Sequence, residues 1–369
     1  LVLSFCFSFL NSNSLLDYMN LQRLMTVAIS LLTIIPVYLL CRRFFNKNLA
    51  LVGAALFAFD PRTIQNSLLG LTDSLFVCLT ALSLSLFFSK KTTGIYSAFG
   101  IIACVATVRY EGLLLIFPFA IMHFIRFKKE IHGKSKTILA IIVFLLILVP
   151  VLAIRSFTIG DEGIISGVVA GPKVGIKIIQ INGIDQFYAS LINGITNLVK
   201  YSAWVSFPIF VLFMPIGILM IFKNRDYQKI TIIFVIILLL IPGLYSYFRG
   251  IQETRYLLVL LPIYSLLSLF TVKLFINKIS NPNTILLIII GLILSYYLSP
   301  EPELVIKYPT PENAGKIIYR DDNNVCYKYR AVEVPCPKDM KNVKTDYLQT
   351  INKSEKNKNS ILKLFHISN

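Results

Sequence analysis

Residues 56–76 read LFAFDPRTIQNSLLGLTDSLF. The stretch joins two apolar runs, Asn48–Phe59 and Ser74–Phe88, and carries Asp60, Arg62 and Asp73 between them. Runs of that composition suit lipid, where a charge near the middle of a helix costs about 2.5–3.5 kcal/mol on insertion scales. Charges held at the ends of such runs therefore call for a reason. Asp60-Pro61 reads as a helix stop, because proline disfavours helix in the residue before it. Asp73 opens the next run, where a helix dipole favours an anion.

The same character extends along the chain. Hydrophobic residues make up 56% of it, charged residues only 15%, and mean hydropathy is +0.70. A water-soluble fold of 369 residues has no need of so much apolar material. Working outward, the apolar runs are Leu21–Leu40, Asn48–Phe59, Ser74–Phe88, Ile95–Val108, Gly112–Ile125, Ile138–Ile154, Ser202–Phe222, Ile230–Tyr247, Tyr256–Ile276 and Thr284–Leu298. A crossing takes about 20 mostly apolar residues. The pattern predicts an all-α polytopic membrane protein, a bundle of about ten transmembrane helices over residues 1–299. Residues 155–200 read as a longer polar segment lying on the membrane surface. Leu1–Leu10 already reads as mid-helix and begins without Met, so a preceding span is expected. Residues 300–369 change composition, with six prolines between Pro300 and Pro337 and alternation at Ile317–Tyr319 and Tyr327–Val334. They read as a small appendage with a few strands and a Lys/Asn-rich end.

The formal net charge of +17 does not point to nucleic acid, because the basic residues fall in short clusters between apolar runs. That is how membrane proteins hold loops in the cytoplasm. Arg42, Arg43, Lys47, Lys90, Lys91 and the cluster from Arg126 to Lys136 then lie inside. Asp60–Asp73, Arg109–Glu111, Arg155–Lys200, Arg249–Arg255 and the C-terminal appendage lie outside. Cys326 and Cys336 fall in that appendage and are a disulfide candidate, since small extracytoplasmic domains use such staples. The other cysteines sit in or beside apolar runs, as structural thiols do. His123, His132 and His366 do not cluster, and no P-loop, HExxH or GxSxG string occurs.

The outer ionisable residues are the candidates for chemistry. Asp73 is either a helix-capping carboxylate, together with Thr72, or a group facing a site. Arg109-Tyr110-Glu111 is the whole link between two apolar runs, so its turn lies at the membrane surface; the pair is either a surface ion pair worth little or part of that site. Arg62, Arg249, Arg255 and Tyr256 either anchor the headgroup layer or bind a phosphate, which arginine holds bidentately. Asp73 and Glu111 are thus the candidate catalytic carboxylates, and Arg62, Arg109, Arg249, Arg255 and Tyr256 the candidate substrate-phosphate contacts. Asp73 is also the one candidate metal contact.

Four stretches resemble the GT-C-type membrane glycosyltransferases, the group of the dolichyl-phosphate-mannose–protein mannosyltransferases and lipid A aminoarabinose transferases. They are LLCRRFFNKNLALVGAALFAFDP (39–61), SLLGLTDSLF (67–76), ATVRYEGLLLIFP (106–118) and RYLLVLLP (255–262). The resemblance covers roughly residues 1–300. It implies a GT-C-like bundle that transfers a sugar from a polyprenyl-phosphate donor to a protein or lipid-linked acceptor, outside the cytoplasmic membrane. It places the principal catalytic carboxylate in a first outer loop that would precede Leu1. Asp73 matches the family's second outer-loop carboxylate, with a supporting or metal-linked role, and Arg255 a basic residue near the donor phosphate. Trp204 is the single tryptophan and there is no WWDYG string, unlike the oligosaccharyltransferase branch. For a monophosphate donor a divalent ion, Mg or Mn, is optional. A transporter or flippase of an anionic lipid-linked substrate is one competing reading, and it would need charges near the bilayer midplane instead of at span ends. An O-antigen ligase or polymerase, also extracytoplasmic and lipid-linked, is another.

Overall fold

A computed structural model describes residues 15–68, 72–159, 187–207, 209–223, 226–251, 253–278 and 291, with strand segments at 317–321, 324–329 and 332–333. The chain divides into two compact units, 1–296 and 297–369.

In the first unit the helices are α1 Leu15–Arg42, α2 Lys47–Ala58, α3 Pro61–Leu68, α4 Asp73–Phe87 and α5 Thr92–Val108. A 3₁₀ turn, Tyr110–Leu115, runs into α6 Ile116–Phe127, followed by α7 Gly133–Ile159. Next come α8 Phe187–Ser206, α9 Phe210–Lys223 and α10 Tyr227–Phe248. A second 3₁₀ turn, Thr254–Leu260, leads into α11 Leu261–Lys278.

Helix starts and stops follow local chemistry. Asn46 caps α2 by accepting from the Leu49 N–H at 3.0 Å, and Asp226 caps α10 by accepting from Lys229 N–H at 2.8 Å. Asp60-Pro61 does stop α2, but it also starts α3. Asp60 Oδ2 accepts from the Thr63 N–H at 2.9 Å, and Pro61 takes the first helical position, where its missing N–H costs nothing. The expected loop at 60–72 thus contains a short helix. At the end of α10, Gly250 adopts φ 80°, with Gly250 N–H bonding Tyr247 O and Ile251 N–H bonding Ser246 O, both at 3.0 Å. This pairing turns the chain back toward the bundle.

Five described helices are long and apolar enough to cross a membrane, and α8 with α9 would make a sixth; α2, α4 and α5 are shorter apolar helices. The expected count of about ten is not reached among the described residues, and the run Thr284–Leu298 falls almost wholly outside them. Two expectations are corrected. The polar segment 155–200 contains the start of α8 at Phe187, and the single run Ser202–Phe222 falls in two helices, one ending at Ser206 and the next beginning at Phe210.

The centre of the unit is α11. Within its span 89% of the residues are buried, against 22% for the lipid-facing α7. Its neighbours come close enough for hydroxyls to reach backbone: Ser265 donates to Gly53 O at 2.5 Å and Thr271 to Phe213 O at 2.6 Å. Gly217 of α9 packs directly on the Leu267 carbonyl, where an added Cβ would lie 2.1 Å from the oxygen. Small residues and hydroxyl bonds are what hold helices together where lipid removes the hydrophobic drive. The charged ends of the helices segregate. Arg43 donates to Ser85 O at 3.0 Å, and Arg126 to Phe87 O at 3.2 Å and Ser89 O at 3.0 Å, closing the C-terminal end of α4. Asp73, at the other end of α4, lies about 20 Å away along the axis.

The second unit holds an antiparallel sheet in the order β1–β2–β3, with β1 Ile317–Asp321, β2 Asn324–Tyr329 and β3 Val332–Glu333. Tyr319 pairs with Cys326, and the register shifts between Ile317 and Tyr319. Cys326 is therefore on β2, while Cys336 lies outside the described residues.

Candidate active site

Asp73 opens α4, yet the helix has no side-chain cap from Thr72. Its carboxylate turns instead to Arg109, whose Nη1 donates to Asp73 Oδ1. Arg109 follows α5 with extended backbone, φ −144° and ψ 131°, which breaks the helix and swings the next residues back. Gly112 permits the return: a Cβ there would meet Val105 Cγ1 at 2.6 Å and the Val105 backbone at 2.8 Å. The tight turn brings Glu111 round so that Arg109 Nη2 reaches Oε1 at 2.8 Å and Nε reaches Oε2 at 3.3 Å. The pair that the sequence left as a surface ion pair or part of a site is a bidentate clamp. Side-chain exposures are 5% for Asp73, 13% for Arg109 and 8% for Glu111, so this is no surface ion pair. The guanidinium also lies 5.4 Å from the ring centroids of both Phe76 and Tyr256. Burial lowers the Arg109 pKa, but the bonds and charges of Glu111 and Asp73 more than offset this and raise it above the ordinary arginine value.

The triad is the floor of a cleft of about 320 Å³, lined also by Thr72, Tyr110, Arg155, Arg255 and Tyr256. Arg155 and Arg255 are exposed at its mouth. Arg255 Nε pairs with Glu253 Oε2 at 2.5 Å, and the Tyr247 hydroxyl donates to Glu253 O at 2.9 Å, tying this loop to α10. Acid lies at the bottom and base at the rim.

The cleft thus gathers Asp73, Arg109, Glu111, Arg255 and Tyr256 from three separate sequence stretches. It does not gather Arg62 or Arg249. Arg62 of α3 stacks on Trp204 of α8 at 4.2 Å and bonds Gln65 at 3.0 Å, and Arg249 lies 5.7 Å from the Tyr245 ring. Arg155 was read only as a loop cation. Its signal was being the first charge after the long apolar run Ile138–Ile154.

A divalent ion needs several converging donors. Among the described residues no group of three His, Cys, Asp or Glu side chains converges. The two carboxylates that face each other are already joined through Arg109, so this donor set does not fit an added cation.

Residues 18–154 match the family described as dolichyl-phosphate-mannose-protein mannosyltransferase. No curated protein sequence matches the chain. Among solved structures, the oligosaccharyltransferase of Archaeoglobus fulgidus, described in complex with Zn and sulfate, is similar with TM-score 0.53 and 15% identity, covering 76% of this chain. ArnT from Cupriavidus metallidurans, described as bound to undecaprenyl phosphate, is similar with TM-score 0.47 and 11% identity over 69% of this chain. The chain spans 40% of the first and 46% of the second. Over residues 18–154 the chain is thus similar to the dolichyl-phosphate-mannose-protein mannosyltransferase family, and its fold is similar to that of the Archaeoglobus fulgidus oligosaccharyltransferase.

Proposed function

We propose that the chain transfers a sugar from a polyprenyl-phosphate donor to a hydroxyl of a protein or lipid-linked acceptor, at the outer face of the cytoplasmic membrane. The observation that carries the reading is the cleft at one end of the bundle, with a buried Asp73–Arg109–Glu111 floor and two arginines at the mouth. A lipid-borne donor must be reached from the bilayer, and its phosphate must meet fixed positive charge at the surface. Arg155 and Arg255 stand where that phosphate would arrive. The family match over residues 18–154 supports the transferase class, and the basic loops at the opposite helix ends support the outward orientation. Charges concentrated at helix ends weigh against the transporter reading.

In the reaction the acceptor oxygen attacks the anomeric carbon. The bond from that carbon to the phosphate oxygen breaks, and its electron pair stays on the phosphate, which gains charge beside the arginines. The acceptor proton passes to a carboxylate. Arg109 engages one oxygen of Asp73 but both oxygens of Glu111, so Asp73 is the better placed of the two to take it.

The test is transfer from a labelled polyprenyl-phosphate sugar by the full-length protein in proteoliposomes. Asp73→Asn should lower turnover roughly 100-fold or more with the thermal midpoint held. Arg155→Ala should mainly raise the donor KM. Undiminished transfer by Asp73→Asn would remove the cleft from the chemistry.

A further inference from the structure

We propose that the Arg109 guanidinium is itself the bridging cation of this site, standing between Asp73 and Glu111 in the place a divalent ion would otherwise fill. The inference rests on the transferase reading for its catalytic consequence and on geometry for the rest. Three guanidinium nitrogens reach three carboxylate oxygens on two different elements, the start of α4 and the turn after α5. The guanidinium also lies 5.4 Å from the ring centroids of Phe76 and Tyr256. Three contacts to carboxylates on two elements fix the orientation of the planar fork. An ammonium could not reproduce it, having no planar fork.

Arg109 is thus a positioning residue that acts through the two carboxylates. A bound metal exchanges with solvent and can be chelated, whereas this cation is held covalently at the end of α5. The three side chains together keep one net negative charge. That charge lets the floor accept a proton from a substrate hydroxyl without expelling a cation.

Removing the guanidinium should leave two facing carboxylates that take up a divalent ion. The experiment uses Mn²⁺ as probe, read by electron paramagnetic resonance on the purified full-length protein, with transfer assayed in parallel. The wild type should show no bound Mn²⁺ that depends on Asp73, and EDTA should leave its transfer unchanged. Arg109→Ala should bind Mn²⁺, and Asp73→Asn in that background should abolish the binding. Its transfer should fall roughly 100-fold and recover about tenfold or more with Mn²⁺. Arg109→Lys should remain depressed with or without the ion. If Arg109→Ala fails to fold, Arg109→Gln, which keeps the stem and one planar donor, gives the same comparison. The proposal is overturned if EDTA stops wild-type transfer and Mn²⁺ restores it, if the wild type binds Mn²⁺ through Asp73, or if the folded variant binds none. Absence of transfer in every sample would overturn the transferase reading, while Mn²⁺ binding would still decide this one.

Discussion

Asp60 shows how far one side chain can depart from its ordinary chemistry. It is fully buried, Thr63 bonds one of its oxygens, and the other has no partner within the described protein. Burial pushes its pKa up to about 7, against the opposing pull of the Thr63 bonds and Arg62. The native state therefore keeps a proton that the unfolded chain releases above about pH 4. Stability should decline between about pH 4 and pH 7 and flatten above, by a few kcal/mol at about 1.4 per pH unit. Thermal midpoints of wild type and Asp60→Asn across that range check this: the slope should vanish in the variant, which keeps a capping oxygen. At the same scale, the cleft residues were readable because a charge beside an apolar run has few innocent explanations. Arg62 and Arg249 had the same signature and found aromatic partners elsewhere, a choice that depends on neighbours distant in sequence. Arg155 was missed because nothing local distinguishes a cation at a cleft mouth from one in a loop.

Most helices were readable as elements, since the apolar runs Asn48–Phe59 and Leu21–Leu40 fall within or almost within α2 and α1. The failures have local causes. Asp60-Pro61 is a stop signal for one helix and a start signal for another, and α3 needs both readings at once. The break between Ser206 and Phe210 divides a continuous apolar run that hydropathy alone cannot cut. The turn after α5 is the element on which the site depends. Gly112→Ala should strike Val105 and displace Glu111, costing about 1–3 kcal/mol and most of the transfer activity. Gly217→Ala, placed against the Leu267 carbonyl, should cost a similar amount of stability through the α9–α11 contact. Comparing thermal midpoints with single-turnover rates separates the two: Gly217→Ala variants that remain folded should keep their rate, and Gly112→Ala should not.

For the molecule as a whole, the two sets of helix ends should face different compartments. In a background without reactive native cysteines, Glu253→Cys should react with an impermeant thiol reagent added outside intact cells, and Lys90→Cys only after the membrane is opened. The reverse pattern would invert the orientation. The helix at the centre of the unit, α11, follows α1 to α10 in the chain, and the turn just before it delivers Arg255 and Tyr256. Earlier helices must wait in the translocon's lipid surroundings with the grooves around Gly53 and Gly217 unfilled. Completion of the cleft is thereby tied to the synthesis of α11, and nascent chains halted before Leu261 should be cleared by membrane quality-control proteases faster than chains halted after Lys278.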